Sequence, residues 1–385
     1  MPKKKIKPQE NHSLAKIKVV GVGGGGNNAV SRMYDCFPRS VDLIAINTDI
    51  QDLNQTNARK KIHIGKNLTK GLGTGMNPDL GRQAAEENRS EIAESLKGAD
   101  MVFITAGQGG GTGTGAAPVV AETAKELGIL TIAVVTKPFS FEGTQRNRIA
   151  QEGVIKLKDR VDTLIIIPND RIFSIINKDT SLIKAFEAID EILKNSVMGI
   201  TELIMSPGIV NVDFADVKTI MSEAGSAMIG IGVSSGQDRA IKAAGQAVNS
   251  PLLETTIDGA RGVLFSVSGH RDLKMNEINE VARLISESVD QSAKIIFGAY
   301  HDRKLNKGQL KVTLVATGFN GDLASKNGFL LPSLFPLQNE TDFKTVNSDL
   351  KEKEAVQEIN EEGIEAEEDK EGILEIPAFL RKKRR

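Results

Sequence analysis

Met101-Val-Phe-Ile-Thr-Ala-Gly-Gln-Gly-Gly-Gly-Thr-Gly-Thr-Gly115 reads as a short apolar strand, Met101 to Thr105, running into a glycine loop, with a helix opening at Ala116. Six glycines fall in the nine residues from Gly107 to Gly115. Glycine loses much freedom when ordered, so a floppy surface loop fits poorly between two core elements. The same strand–glycine–helix grammar appears upstream, where Ile17-Lys-Val-Val-Gly-Val22 leads into Gly23-Gly-Gly-Gly26-Asn27-Asn28. Further β-branched runs follow at Val41–Ile46, Leu130–Val135 and Leu164–Ile167, with helical stretches such as Asp79–Leu96 and Ala117–Leu127 between them. Short apolar strands alternating with helices predict an α/β fold, a Rossmann-like parallel sheet covered on both faces.

Glycines at a strand–helix turn let main-chain N–H groups approach a phosphate, and the helix N-terminus favours negative charge. Two such loops at one edge of a parallel sheet can embrace a polyphosphate from two sides. Neither ends in Gly-Lys-Ser/Thr, so phosphate charge would be met by backbone dipoles and a bound cation. Gly21, Gly23 and Gly26, with Asp49 downstream, also satisfy the dinucleotide fingerprint. An NAD-dependent oxidoreductase with a Rossmann domain is therefore an alternative, although it leaves the second glycine loop unexplained.

Thr180 to Ile204 reads as one long helix, with Leu182, Phe186, Ile189, Leu193 and Val197 at spacings of three and four forming an apolar stripe. Phe186 and Asp190, four apart, share one face. Phe186 offers either a flat surface for a purine or plain core packing, and Asp190 is an acceptor-only carboxylate. Strand-like runs at Met228–Ile231, Val263–Val267, Ile295–Phe297 and Val312–Val315 predict a second sheet in a second α+β domain. Asp213 and Asp216 fall near the start of a helix, where capping alone could explain an aspartate.

Composition narrows the functional classes. The formal net charge of the 385 residues is -1, so no overall field draws the chain to nucleic acid or to a membrane surface. No apolar run approaches the roughly 18 residues of a membrane span, and the basic start, Met1-Pro-Lys-Lys-Lys, precedes no apolar stretch of a secretory signal. One cysteine, Cys36, excludes an intrachain disulfide or a cysteine-based metal cluster and points to a cytoplasmic setting. The four histidines, His12, His63, His270 and His301, show no metal-ligand spacing, so no protein metal site is expected. From Glu340 to Glu375 there are 14 acidic residues and four lysines, the signature of an extended linker. It ends in Ile373-Leu-Glu-Ile-Pro-Ala-Phe-Leu-Arg-Lys-Lys-Arg-Arg385, apolar anchors followed by five basic residues, which reads as a docking peptide.

Gly107-Gln-Gly-Gly-Gly-Thr-Gly-Thr-Gly115 matches the tubulin signature loop, and from about Lys16 to Phe319 the chain resembles the tubulin/FtsZ family of bacterial cell-division GTPases. Asn47-Thr-Asp49, Gly71-Leu-Gly-Thr-Gly75, Lys137-Pro-Phe-Ser-Phe-Glu-Gly143, Pro168-Asn-Asp-Arg171, Asn211-Val-Asp-Phe-Ala-Asp216 and Ala316-Thr-Gly-Phe319 carry the likeness. Glu375-Ile-Pro-Ala-Phe-Leu-Arg381 resumes it at the tail. The resemblance implies GTP or GDP, with Mg2+ on the nucleotide. It places the phosphates on Gly24, Gly25, Gly26, Asn27 and Asn28, and on Gly110, Gly111, Thr112, Gly113 and Thr114. Thr74 and Gly75 would sense the γ-phosphate, Glu142 the ribose, and Arg146 would lie near the phosphates. Asn169, Phe186 and Asp190 would hold guanine, whose N1–H and N2–H suit a carboxylate. For Glu142 and Arg146 a surface ion pair is an equal reading.

The resemblance further implies head-to-tail polymerisation into the filaments of a cytokinetic ring at midcell, beneath the inner membrane. Asn211, Asp213 and Asp216 would then complete the site of the next subunit. Ile376, Pro377, Phe379, Leu380 and Arg381 would dock membrane-tethering and regulatory division proteins, without direct membrane insertion. The expected layout is a disordered start over 1–15, a GTP-binding domain over 16–178 and a central helix over 179–204. A GTPase-activating domain over 205–320, a linker over 321–372 and a peptide over 373–385 follow.

Overall fold

The computed structural model describes residues 15–177, 179–206, 208–250, 256–302 and 304–319. Expectations for the start of the chain before residue 15, the acidic linker over 321–372 and the terminal peptide over 373–385 lie outside those residues.

Six parallel strands build the first half: β1 (Ile17–Val22), β2 (Asp42–Asn47), β3 (Lys60–His63), β4 (Met101–Gly107), β5 (Leu130–Lys137) and β6 (Thr163–Pro168). Their order is β3-β2-β1-β4-β5-β6. Helices α1 (Gly23–Met33), α2 (Ile50–Gln55), α3 (Lys66–Thr69), α4 (Pro78–Glu87), α5 (Arg89–Leu96), α6 (Thr112–Glu126) and α7 (Thr144–Lys158) lie between them. Successive strand side chains point to opposite faces, and both faces here are covered. Ile17 and Val19 of β1 pack on one side with Ala29, Val30 and Met33 of α1. Val20 and Val22 pack on the other with residues of α4, α5 and α6, including Ala84, Ile92 and Val120. The expected single helix over Asp79–Leu96 is two, because Asn88 leaves helical geometry and its Oδ1 accepts from Gly65 N at 2.9 Å.

The long helix is α8 (Leu182–Met205), capped by Ser181, whose hydroxyl accepts from Lys184 N. Ile189, Leu193, Val197, Ile200 and Leu203 are buried, but the stripe does not hold to its start: Leu182 and Phe186 are 60% and 42% exposed. Plain core packing therefore does not account for Phe186.

The second half comprises α9 (Phe214–Met221), β7 (Gly225–Ser235), α10 (Arg239–Val248), β8 (Gly262–Gly269), α11 (Met275–Glu287), β9 (Lys294–His301) and β10 (Gln309–Thr317). Its strands do not form a separate sheet. β7 adds to β6 in parallel through Thr163↔Gly225, Leu164↔Ser226 and Ile165↔Ala227, and the ten-stranded sheet continues β7-β10-β8-β9. Buried Asp162 makes the join: its side chain accepts from Thr131 N at 2.9 Å, and its carbonyl from Gly225 N at 3.0 Å. β10 pairs antiparallel with both β7 and β8. α10 and α11 cover a further core that includes Ala243, Phe265, Val281 and Val312.

Candidate functional site

Because β1 to β6 are parallel, all their carboxyl ends lie along one edge, the usual place for a ligand in an open α/β sheet. Both glycine loops open there as helix N-termini. Gly23 opens α1 at φ +70°, Gly24, Gly25 and Gly26 form its first turn, and Thr112, Gly113 and Thr114 form that of α6. Neither helix has a side-chain cap, a lack shared with α3, α5, α7 and α10, whereas Asp49, Asn77, Ser181 and Asp213 cap α2, α4, α8 and α9. First-turn N–H groups without a cap are donors in want of an anion. The loops touch: a Cβ on Gly23 would sit 2.8 Å from Gly113 N, and one on Gly111 would sit 2.1 Å from Thr74 Oγ1. Thr112 stands between Thr48 and Thr74, its hydroxyl 2.8 Å from the first and 3.1 Å from the second. This hydroxyl chain unites the ends of β2 and β4 with the loop carrying Thr74 and Gly75. Thr48 lies in the Asn47-Thr-Asp49 motif, but the sequence reading gave it no role.

Asn27 is fully buried in α1 behind these donors, and Asn28 is exposed. Asp49, the ribose-binding acid of the dinucleotide reading, is committed to capping α2 by accepting from Gln51 N and Asp52 N. Nearby Asp52 accepts from Asn47 Nδ2 at 2.6 Å, and burial pushes its carboxyl up, with Asp49 adding to the effect.

The second end of the site lies about two turns along α1. Eight residues separate Gly24 from Arg32, roughly 12 Å of helix. There Arg32 Nε donates to Asp190 Oδ2 at 3.0 Å, and Arg32 also pairs with Glu187 at 3.5 Å. Burial raises the Asp190 carboxyl, and Arg32 pulls it back down. Arg32 was not singled out from the sequence, since 158 residues separate it from its partner. Phe186 meets buried Phe139 edge-on at 5.5 Å, and Phe139 also contacts Phe141 and Phe173, which are exposed. Asn169, at the end of β6, is buried, and its Oδ1 has no hydrogen-bond partner. Half-exposed Phe186, the unpaired Asn169 Oδ1 and the Asp190 carboxylate held by Arg32 are groups of the kinds a flat polar base can meet.

Glu142 and Arg146 are ion-paired, and Glu142 also accepts from Phe139 N at 2.9 Å. The surface-pair reading is thus realised. Yet the main-chain carbonyl of Arg146 lies against Gly109 of the second loop, so the pair borders the site. Asn211, Asp213 and Asp216 are not with the others. They are exposed beyond the far end of α8, and Asp190 to Met205 spans roughly 22 Å of helix. Asp213 caps α9 by accepting from Ala215 N at 2.8 Å, and Asn211 Oδ1 accepts from Gly208 N at 2.6 Å. The docking residues Ile376, Pro377, Phe379, Leu380 and Arg381 lie outside the described residues. Among the described residues no helix is long and apolar enough to cross a membrane.

Residues 16–177 match the model of the tubulin/FtsZ family GTPase domain, and residues 225–320 that of the FtsZ family C-terminal domain. A solved FtsZ dimer from M. jannaschii is 50% identical, covering 80% of this chain and 89% of its own at a TM-score of 0.77. A GTPγS-bound CetZ2 protofilament from Haloferax volcanii, 22% identical, shares the fold over 78% of this chain and 92% of its own at a TM-score of 0.68. These likenesses do not favour the oxidoreductase alternative, which also has no use for the second glycine loop. With two helix N-termini free of side-chain caps at the carboxyl edge of the sheet and family matches over both halves, this chain belongs to the tubulin/FtsZ family of GTPases.

Proposed function

We propose that the chain is a self-assembling GTPase whose active site is completed between adjacent subunits of a head-to-tail filament. The observation that carries this reading is the separation of Asn211, Asp213 and Asp216 from the nucleotide edge. Roughly 22 Å of α8 lies between Asp190 and the start of their loop, so these side chains cannot act on their own subunit's phosphates. The FtsZ dimer from M. jannaschii, a protein 50% identical, supports self-association.

In this reading the α1 and α6 N-termini hold the phosphates through main-chain N–H groups. Thr74 and Gly75 lie at the γ-phosphate end, Glu142 and Arg146 border the ribose, and Asn169, Phe186 and Asp190 hold guanine. Among the described residues no group of three His, Cys, Asp or Glu side chains could cage a metal ion alone. A Mg2+ ion would therefore be held chiefly by the phosphates, lending positive charge to the transferring group, with Thr112 and its neighbouring hydroxyls facing the same region. Asp213 and Asp216 of the next subunit orient a water for attack on the γ-phosphorus and accept its proton, while GDP leaves on its β-phosphate oxygen. Catalysis of this kind is positioning and electrostatics. We further infer that the filaments serve the division ring, with the terminal peptide joining them to membrane-bound tethers through Ile376, Phe379 and Leu380.

The test is a mixture of two variants. Asp213→Ala keeps GTP but supplies no complete loop. Gly111→Val supplies the loop but loses nucleotide, because its Cβ would lie 2.1 Å from Thr74 Oγ1 and 2.8 Å from Asn77 main-chain atoms. Co-sedimentation first establishes that they assemble together. The mixture should then hydrolyse faster than the sum of its parts, and wild-type activity should rise above an assembly threshold. Co-assembly without recovered activity, or a specific activity independent of concentration, refutes the shared site.

A further inference from the structure

Leu203 stands in the last turn of α8. In a regular helix its carbonyl would accept from the N–H four residues on, at position 207. Residue 207 is proline, which has no N–H to give. The carbonyl is nevertheless satisfied from the other half of the molecule: the hydroxyl of Tyr300, on β9, donates to it at 2.8 Å. Tyr300 is 5% exposed, and burial pushes its phenol up to about 12, so it remains a donor throughout the physiological range.

The same ring lies against the segment that carries the proposed catalytic side chains. A Cβ built on Gly208 would sit 2.9 Å from two of its ring carbons, so the main chain there rests directly on the aromatic surface. Next to Tyr300, Ala299 forms an isolated antiparallel bridge with Val210. Ile209 N donates to Ala299 O at 2.7 Å, and Ala299 N donates to Val210 O at 3.1 Å. Gly208 N in turn donates to Asn211 Oδ1 at 2.6 Å. Tyr300 thus touches both the root of the loop, at Leu203, and its first residues.

We propose that Tyr300 is a positioning residue for GTP hydrolysis. By supplying the hydrogen that proline 207 lacks and by supporting Gly208, it fixes the direction in which Asn211, Asp213 and Asp216 leave the end of α8. This rests on the reading that the loop completes a neighbour's site. An ordinary core tyrosine would account for the burial, but its hydroxyl need not end on the one carbonyl of that turn whose residue four positions on is a proline. Catalytic geometry is sensitive at this scale, because displacement of a reacting group by about 1 Å can cost a hundredfold in rate.

Tyr300→Phe removes the hydroxyl and keeps the ring. Loss of one neutral hydrogen bond to the loop's root should lower kcat by about 3- to 10-fold. GTP affinity of the unassembled chain and the critical concentration for assembly should stay as in wild type. An unchanged kcat at full assembly overturns the proposal, as does a fall explained entirely by a raised critical concentration. The mixture of Asp213→Ala and Gly111→Val chains adds direction. Tyr300→Phe placed in the Gly111→Val chain, which lends its loop, should cut the recovered activity by the same factor. Placed in the Asp213→Ala chain, which only holds GTP, it should cost nothing. Equal losses in both placements mark a general loosening and overturn the proposal. A parent mixture that co-assembles and stays silent fails the shared-site reading itself, whereas an active parent mixture indifferent to Tyr300→Phe in the donor fails the role of Tyr300 alone.

Discussion

Asp190→Ala tests the base end of the site most directly. Asp190 sits on α8 with 14% of its side chain exposed and Arg32 Nε 3.0 Å away. A guanine seated against Phe186 would direct N1–H and N2–H to this carboxylate, whereas adenine would present a lone pair at N1. A hydrogen bond to a charged group is worth about 1.5–3 kcal/mol. Two such bonds share one carboxylate that also holds Arg32, so about 2–3 kcal/mol is expected for the pair, or roughly a 30- to 150-fold loss of GTP affinity. ATP affinity should change by no more than about 3-fold, since it loses no bond of this kind. The assay is an equilibrium titration of each nucleotide below the assembly threshold. Equal and unchanged affinities for both would refute the role of Asp190. A pH arm sharpens the result. Burial raises the Asp190 carboxyl and Arg32 opposes the rise, so protonation on acidification removes the acceptor and weakens GTP binding. Arg32→Met removes the opposing charge and should shift that weakening to higher pH. In Asp190→Ala this limb of the pH profile should vanish, and its persistence there would assign the titration to another group.

The other expectations concern packing and the tail. In Gly115→Ala the new methyl would lie 1.9 Å from Pro78 O and 2.7 Å from Arg82 N, both main-chain atoms of α4, so α4 and α6 must part. Overpacking of this kind costs about 3 kcal/mol, read as a lower urea midpoint, while Gly110→Ala, which meets nothing within 4 Å, should leave the midpoint in place. Removal of residues 373–385 should spare GTP hydrolysis and sedimentation of filaments but abolish binding to a membrane tether. Full-affinity binding by the shortened chain would dispose of the docking reading.

Several features of this protein were decided within a few residues of chain. All strands of the first half but β3, whose Lys60 and Lys61 are exposed and which the sequence did not mark, are apolar on both faces, so their parallel pairing under helices was legible from composition alone. The glycine loops declared themselves by following strands and opening helices, and the i, i+4 spacing put Phe186 and Asp190 on one face of α8. Capping of α9 by Asp213 is equally local. Other features joined positions that no periodicity relates. Arg32 reaches Asp190 across 158 residues, and Tyr300 reaches Leu203 across 97. Asp162 brings β7 to β6, so the strands expected to stand apart extend one sheet. The apolar stripe of α8 could not say where the core stops, and only the packed chain leaves Phe186 half exposed. Propensity, alternation and capping act through neighbouring residues and can be read in order. Which carbonyl meets which distant hydroxyl, or which carboxylate meets which guanidinium, is settled only when the whole chain packs and each buried polar group must find a partner.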